Sequence, residues 1–200
     1  MFTKMSHIFT RQFVKDLIIS TLFIFCVYAV THNKFTYPQP EPVVGKWNIE
    51  QVQHPLFLGF AGHNYLVLRD GLGDVESELH GLATDPISGT WKYIGYTPTD
   101  ELRVWEFRDL RYGLTSHGFP GTTIISGSAE EMRALWTKAK ECGEAINAKH
   151  ISYPRFGVDL RGSTENSNSV TYTLLRCMEL PQKHIGLITP GSRTNLLEEN

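Results

Sequence analysis

The stretch Gly62-His63-Asn64-Tyr65-Leu66-Val67-Leu68-Arg69-Asp70-Gly71-Leu72-Gly73-Asp74-Val75-Glu76-Ser77-Glu78-Leu79-His80-Gly81 decides the fold class. Its first part, Asn64 to Leu68, is aromatic and branched-apolar, as strands are. Asp70 to Asp74 holds two glycines and two aspartates, the composition of a tight turn. Val75 to Leu79 alternates apolar with polar side chains, the period-2 pattern of a strand with one wet face. Together they predict a β-hairpin.

Working outward, Trp91–Tyr96, Leu102–Phe107 and Thr122–Ser126 are further short strand candidates. The hairpin and these segments predict an antiparallel sheet of about five strands with one polar face. The character then changes. Ser128-Ala129-Glu130-Glu131 is a capping box, and Met132, Leu135, Trp136, Ala139, Cys142 and Ile146 follow at helical spacing to about Asn147. A loop with Pro154, Gly157 and Gly162 leads to Asn166-Ser167-Asn168-Ser169, a group of capping side chains. Val170, Leu174 and Met178 mark the buried stripe of a second helix, which Pro181 is expected to end. Strands followed by two main helices give an α+β class.

Toward the amino terminus, residues 17–31 (LIISTLFIFCVYAVT) carry no charge, and Lys4, Arg11 and Lys15 precede them against a single Asp16. An apolar run behind a basic flank is an export or anchor signal. A spanning helix needs about 20 residues; residues 13–33 supply that length if Lys15 snorkels. Residues 1–33 therefore read as a signal anchor or transmembrane segment, with the amino terminus cytoplasmic and the rest outside, periplasmic or extracellular. Val27-Tyr28-Ala29 also fits a cleavage site, which gives a secreted product instead. Residues 34–46 (KFTYPQPEPVVGK) form a Pro-rich spacer, and residues 47–200 one globular domain.

The 200 residues are 41% hydrophobic and 12% aromatic with a net charge of −2, which is globular and not disordered. Setting aside the three cations and one acid of residues 1–33, the remainder has a net charge of −4. That balance points away from nucleic acid as a partner. Phosphate loops, dinucleotide fingerprints, HExxH and paired CxxC are missing from the sequence, so neither a metal nor another cofactor is expected. Cys142 and Cys177 read as core residues or as one disulfide.

Three residues remain as candidates for chemistry. His63 opens the first hairpin strand and His80 closes the second, so the hairpin sets them at adjacent strand ends, where a site can be exposed. Each also fits a plain backbone-bonding role at a turn. Ser167 begins the second helix, where free N–H groups and the helix dipole can stabilise an oxyanion. A serine there needs a histidine base within hydrogen-bond reach to act as a nucleophile. The alternative is that Asn166 or Ser167 is simply the N-cap.

The order His63, His80, then Asn166-Ser167-Asn168-Ser169 resembles the circularly permuted branch of the NlpC/P60 papain-like superfamily, which includes the lecithin retinol acyltransferase-like proteins. Gly62-His63-Asn64-Tyr65-Leu66-Val67-Leu68 and Glu78-Leu79-His80-Gly81 carry the resemblance too, over roughly residues 60–195. It implies a permuted papain-like domain with His63 as base, His80 as the group that orients it, and Ser167 in the place of the family's nucleophilic cysteine. Asn64, Asn166, Asn168 and Ser169 would be binding residues around them. The implied function is a membrane-anchored hydrolase or acyltransferase acting on an amide or ester. Because serine replaces cysteine, the alternative is an inactive module that binds a cell-envelope component or a partner protein.

Overall fold

The computed structural model describes residues 14, 17–22, 24, 40, 43–56, 59, 61–108, 118–157 and 164–198. Six strands form one antiparallel sheet: β1 (Trp47–Leu56), β2 (Ala61–Arg69), β3 (Val75–Thr84), β4 (Trp91–Lys92), β5 (Glu101–Phe107) and β6 (Gly121–Gly127). The path runs β4-β3-β2-β1-β6, and β5 pairs with β3. Two helices follow, α1 (Ala129–Ala148) and α2 (Ser167–Cys177). The chain is therefore α+β, as the hairpin stretch predicts.

The β2–β3 turn closes as its composition requires. Asp70 Oδ1 accepts from the Leu72 and Asp74 N–H groups, each at 2.9 Å, and Gly73 takes a φ of 91°, open to glycine without strain. The sheet exceeds the expected strand count because β1 is a strand that carries polar residues on both faces. Asn48, Glu50, Gln51 and Gln53 are all buried in it. No apolar alternation marks such a segment.

One face of the sheet carries the main core. Ile49, Leu66, Leu68, Leu79, Ala83 and Leu102 pack there against Met132, Trp136, Ala139 and Ile146 of α1 and Val170, Leu174 and Leu175 of α2. The other face, here the far face, carries a smaller apolar cluster of Val52, Tyr65 and Val67 with Val75, Tyr93 and Phe119 against it. Successive side chains on a strand alternate between these faces.

Both helices start as the sequence indicates. Ser128 and Glu131 form the capping box of α1, and Asn166 caps α2 by accepting from the Asn168 and Ser169 N–H groups. The second helix stops earlier than Pro181. It ends at Cys177, Met178 is its C-cap, and Glu179 takes a positive φ of 60°. Cys142 and Cys177 form a disulfide joining the two helices. Trp136 is buried in the main core, and Trp91 and Trp105 are half-buried.

Most of the amino-terminal apolar run lies outside the described residues. Residues 17–22 are helical, and Leu17, Ile18, Ile19 and Leu22 all lie more than half exposed, at 53–64%. Among the described residues no helix is long and apolar enough to cross a membrane.

Candidate functional site

His63 and His80 come together, but not at exposed strand ends. His80 sits in the middle of β3 and both imidazoles are fully buried on the far face. His63 Nε2 lies 3.2 Å from His80 Nδ1, and His80 Nε2 lies 2.8 Å from Glu78 Oε2. The row is continuous: carboxylate, imidazole, imidazole. Glu78 escapes sequence reasoning because a strand glutamate reads as solvent-facing. The signal available was its i, i+2 spacing to His80, which puts both on one strand face.

Hydrogen-bond chemistry orders the protons along this row. With Glu78 as a carboxylate, His80 donates from Nε2 and accepts at Nδ1. His63 then donates from Nε2, and its Nδ1 carries a lone pair. That Nδ1 is buried and has no partner among the described residues. Burial above all, with His80 and His54 nearby, holds the His63 imidazole well below its usual range. Burial also lowers His80, against the pull of its bond to Glu78. Tyr65 stacks on His80 at 4.3 Å between ring centroids, and Phe107 meets it edge-on at 5.4 Å. His54, directly across from His63 in the β1–β2 register, lies edge-on to Phe119.

Ser167 belongs to the other side of β3. A Cβ added at Gly81 would lie 3.0 Å from the Ser167 Cα and 2.6 Å from Val170 Cγ2, so the start of α2 fills the helical side of Gly81. His80, one residue earlier, projects to the far face. Ser167 instead neighbours Tyr153, and the two line one small pocket. Burial pushes the Tyr153 phenol up, and the adjacent Ser167 backbone and hydroxyl pull it the other way. The Ser167 end of the helix thus faces an internal phenol and not the two imidazoles.

The remaining predicted residues are built into the scaffold. Past Leu66 and Leu79 the β2–β3 ladder gives out, and α2 supplies the missing partners. Asn168 Oδ1 accepts from the Asn64 N–H at 2.8 Å, and its Nδ2 donates to the Gly62 and Pro190 carbonyls. Thr171 donates to the Asn64 carbonyl at 2.8 Å. The Asn64 side chain accepts from Gln53 Nε2. Ser169 donates to Thr164 and Gly191 carbonyls, and Asn166 Nδ2 donates to those of Gly157 and Pro190. These side chains close the α2 amino terminus against β2, the connection before α2 and the tail at Pro190–Gly191.

A pocket with about 30 Å³ of free volume adjoins Ser167, lined by Tyr153, Phe156, Gly62 and Pro190 among others. A larger one, about 260 Å³, lies elsewhere, between β5 and α1 around Glu106, Arg133 and Lys140. Among the described residues no group of three histidine, cysteine or acidic side chains is placed to hold a metal ion. No protein-family model matches the chain, and no curated protein or solved structure is significantly similar to it.

Proposed function

We propose that this chain is a membrane-tethered, extracytoplasmic domain on the permuted papain-like plan that works by binding a cell-envelope component or a partner protein, not by acyl transfer. The observation that carries this reading is the placement of Ser167. It lies beside Tyr153, on the side of β3 away from His63 and His80. A serine without a base in reach is too weakly acidic to attack a carbonyl. The exposed apolar side chains of residues 17–22 support the tether, since such a helix needs an apolar medium on its surface.

The test is labelling of the full chain, in detergent micelles, with a serine-reactive fluorophosphonate, alongside co-sedimentation with purified peptidoglycan. The expected result is no labelling of Ser167. Labelling that vanishes in both Ser167→Ala and His63→Ala overturns the reading.

A second reading keeps the hydrolase or acyltransferase, and the Glu78–His80–His63 row favours it. Such a row orients a base and stabilises the charge it acquires. It requires Ser167 to leave Tyr153 and meet His63, and the same labelling experiment decides between the two.

A further inference from the structure

The far-face row is a group of buried titratable side chains that a binding role leaves unused. Its geometry limits how many protons it can hold. A first added proton is accommodated by shifting protons along the row: it binds His63 Nδ1, the shared proton moves from His63 Nε2 to His80 Nδ1, and His80 becomes an imidazolium paired with Glu78, leaving His63 Nδ1 a donor. That donor then has no acceptor among the described residues, in a site with no water access. A second proton puts two imidazolium rings 3.2 Å apart at their nitrogens.

The surrounding groups offer little relief. From β1, His54 and Glu50 face the same way; Glu50 is bonded to Arg69 of β2 at 2.9 Å. From β2 comes Tyr65, and after β4 comes Tyr93, whose ring lies 6.0 Å from that of His63. On β5, Glu101 and Arg103 share that face and are bonded to each other. Among the described residues, the groups nearest the two imidazoles apart from Glu78 are therefore another imidazole and two phenols.

We propose that the Glu78–His80–His63 row is an acid-sensitive lock on the far face of the sheet, closed at neutral pH and broken when the two neutral imidazoles of His63 and His80 must together take up more than one added proton. The sign follows from linkage. Both imidazoles are held below their usual range, so the unfolded or opened chain takes up protons first as pH falls. Stability is complete above the ordinary histidine range and is lost as pH drops through it. Each histidine kept neutral in the closed sheet lowers the closed-to-open ratio about tenfold per pH unit below ~6.5.

The test uses the full chain in micelles, with urea midpoints followed by tryptophan fluorescence at about pH 7.5 and about pH 5.5. The expected result is a drop in the folded-to-unfolded ratio of about tenfold or more in the wild type, and a clearly smaller drop in His63→Phe, which keeps a ring in place. Equal midpoints at both pH values in the wild type, or equal losses in wild type and His63→Phe, overturn the proposal. Should His63→Phe not fold, histidine NMR titration of the wild type decides. Two imidazoles still neutral at about pH 5.5 uphold the lock, and all eight titrating together near ~6.5 overturn it.

Discussion

The Asn168 side chain stands in for a strand beside Asn64. Its carbonyl oxygen accepts from the Asn64 N–H at 2.8 Å while its amide donates to the Gly62 carbonyl at 3.1 Å, one residue on either side of His63. The same device recurs twice. Asn147, at the end of α1, accepts from the Val104 N–H and donates to the Val104 carbonyl. Gln51 of β1 does both with Lys183. Each amide side chain presents a donor and an acceptor side by side, as a peptide group does, and so joins a helix or a loop to a strand where no neighbouring strand is available.

Replacing Asn168 by alanine therefore leaves the Asn64 N–H and the Gly62 carbonyl unpaired in a buried site. The expected cost is about 2–4 kcal/mol, since each orphaned buried group costs about 1–3 kcal/mol. Asn168→Asp keeps the acceptor but turns a carboxylate toward the Gly62 and Pro190 carbonyls, so it does not rescue. Urea midpoints of the two variants check this. A loss below about 0.5 kcal/mol in Asn168→Ala would mean that the strand finds other partners.

This use of amides explains what could and could not be read from the sequence. The hairpin, the Ser128–Glu131 capping box and the Asn166 cap are local, and their signals lie within a few residues. β1 is not local in that sense. Its Gln51 and Gln53 are satisfied by backbone at Lys183 and Leu187, more than a hundred residues away, so its polar pattern reads as exposed chain. The pairing of His63 with His80 follows from the hairpin, but their faces matter more. Period-2 alternation already sets His80 and Gly81 on opposite sides of β3. That α2 would pack on the Gly81 side, setting Ser167 beside Tyr153, is a long-range packing result. Asn64, Asn166, Asn168 and Ser169 were legible as polar residues of one neighbourhood, while their bonds to backbone emerge only in three dimensions.

Gly81 lies where β3 packs closely on the start of α2. An alanine Cβ there would meet Val170 side-chain carbons at 2.6–2.7 Å, closer than real Cβ contacts allow, and the Ser167 backbone at a tight 3.0 Å. Gly81→Ala should push α2 off the sheet at a cost of about 1–3 kcal/mol. Pairing it with Val170→Gly removes both clashing side-chain carbons, so the double variant should lose less than the sum of the two single losses. Thermal midpoints of the three variants give the coupling, and strict additivity would show that the contact is relaxed elsewhere.

Glu50 tests the charge balance of the far face. Burial raises its carboxyl above the usual range, in spite of the Arg69 bond that pulls the other way. A raised carboxyl contributes stability that is present at low pH and lost as pH rises through its folded value. Glu50→Gln, which keeps an acceptor for Arg69, should thus cost no more than about 1 kcal/mol at neutral pH. The difference should then move in favour of the wild type as pH falls toward ~4.5. Urea midpoints of both proteins at the two pH values measure this. A difference moving the opposite way would mean that the ion pair outweighs burial.

The Cys142–Cys177 bond ties α1 to α2 across a separation of 35 residues, and α2 is the element that completes β2 through Asn168 and Thr171. Closing a loop of that length restricts the unfolded chain, and its removal should cost about 3–4 kcal/mol. The loss should not stay confined to the helices. Because α2 carries the partners of Asn64, reduction should also speed amide exchange in residues 62–65 of β2 relative to β6, which pairs with β1 and takes no bond from α2. Hydrogen exchange with and without reductant, below the thermal midpoint of the reduced chain, reads both. If β2 and β6 gain exchange equally, the disulfide supports the domain as a whole and not the α2–β2 splice.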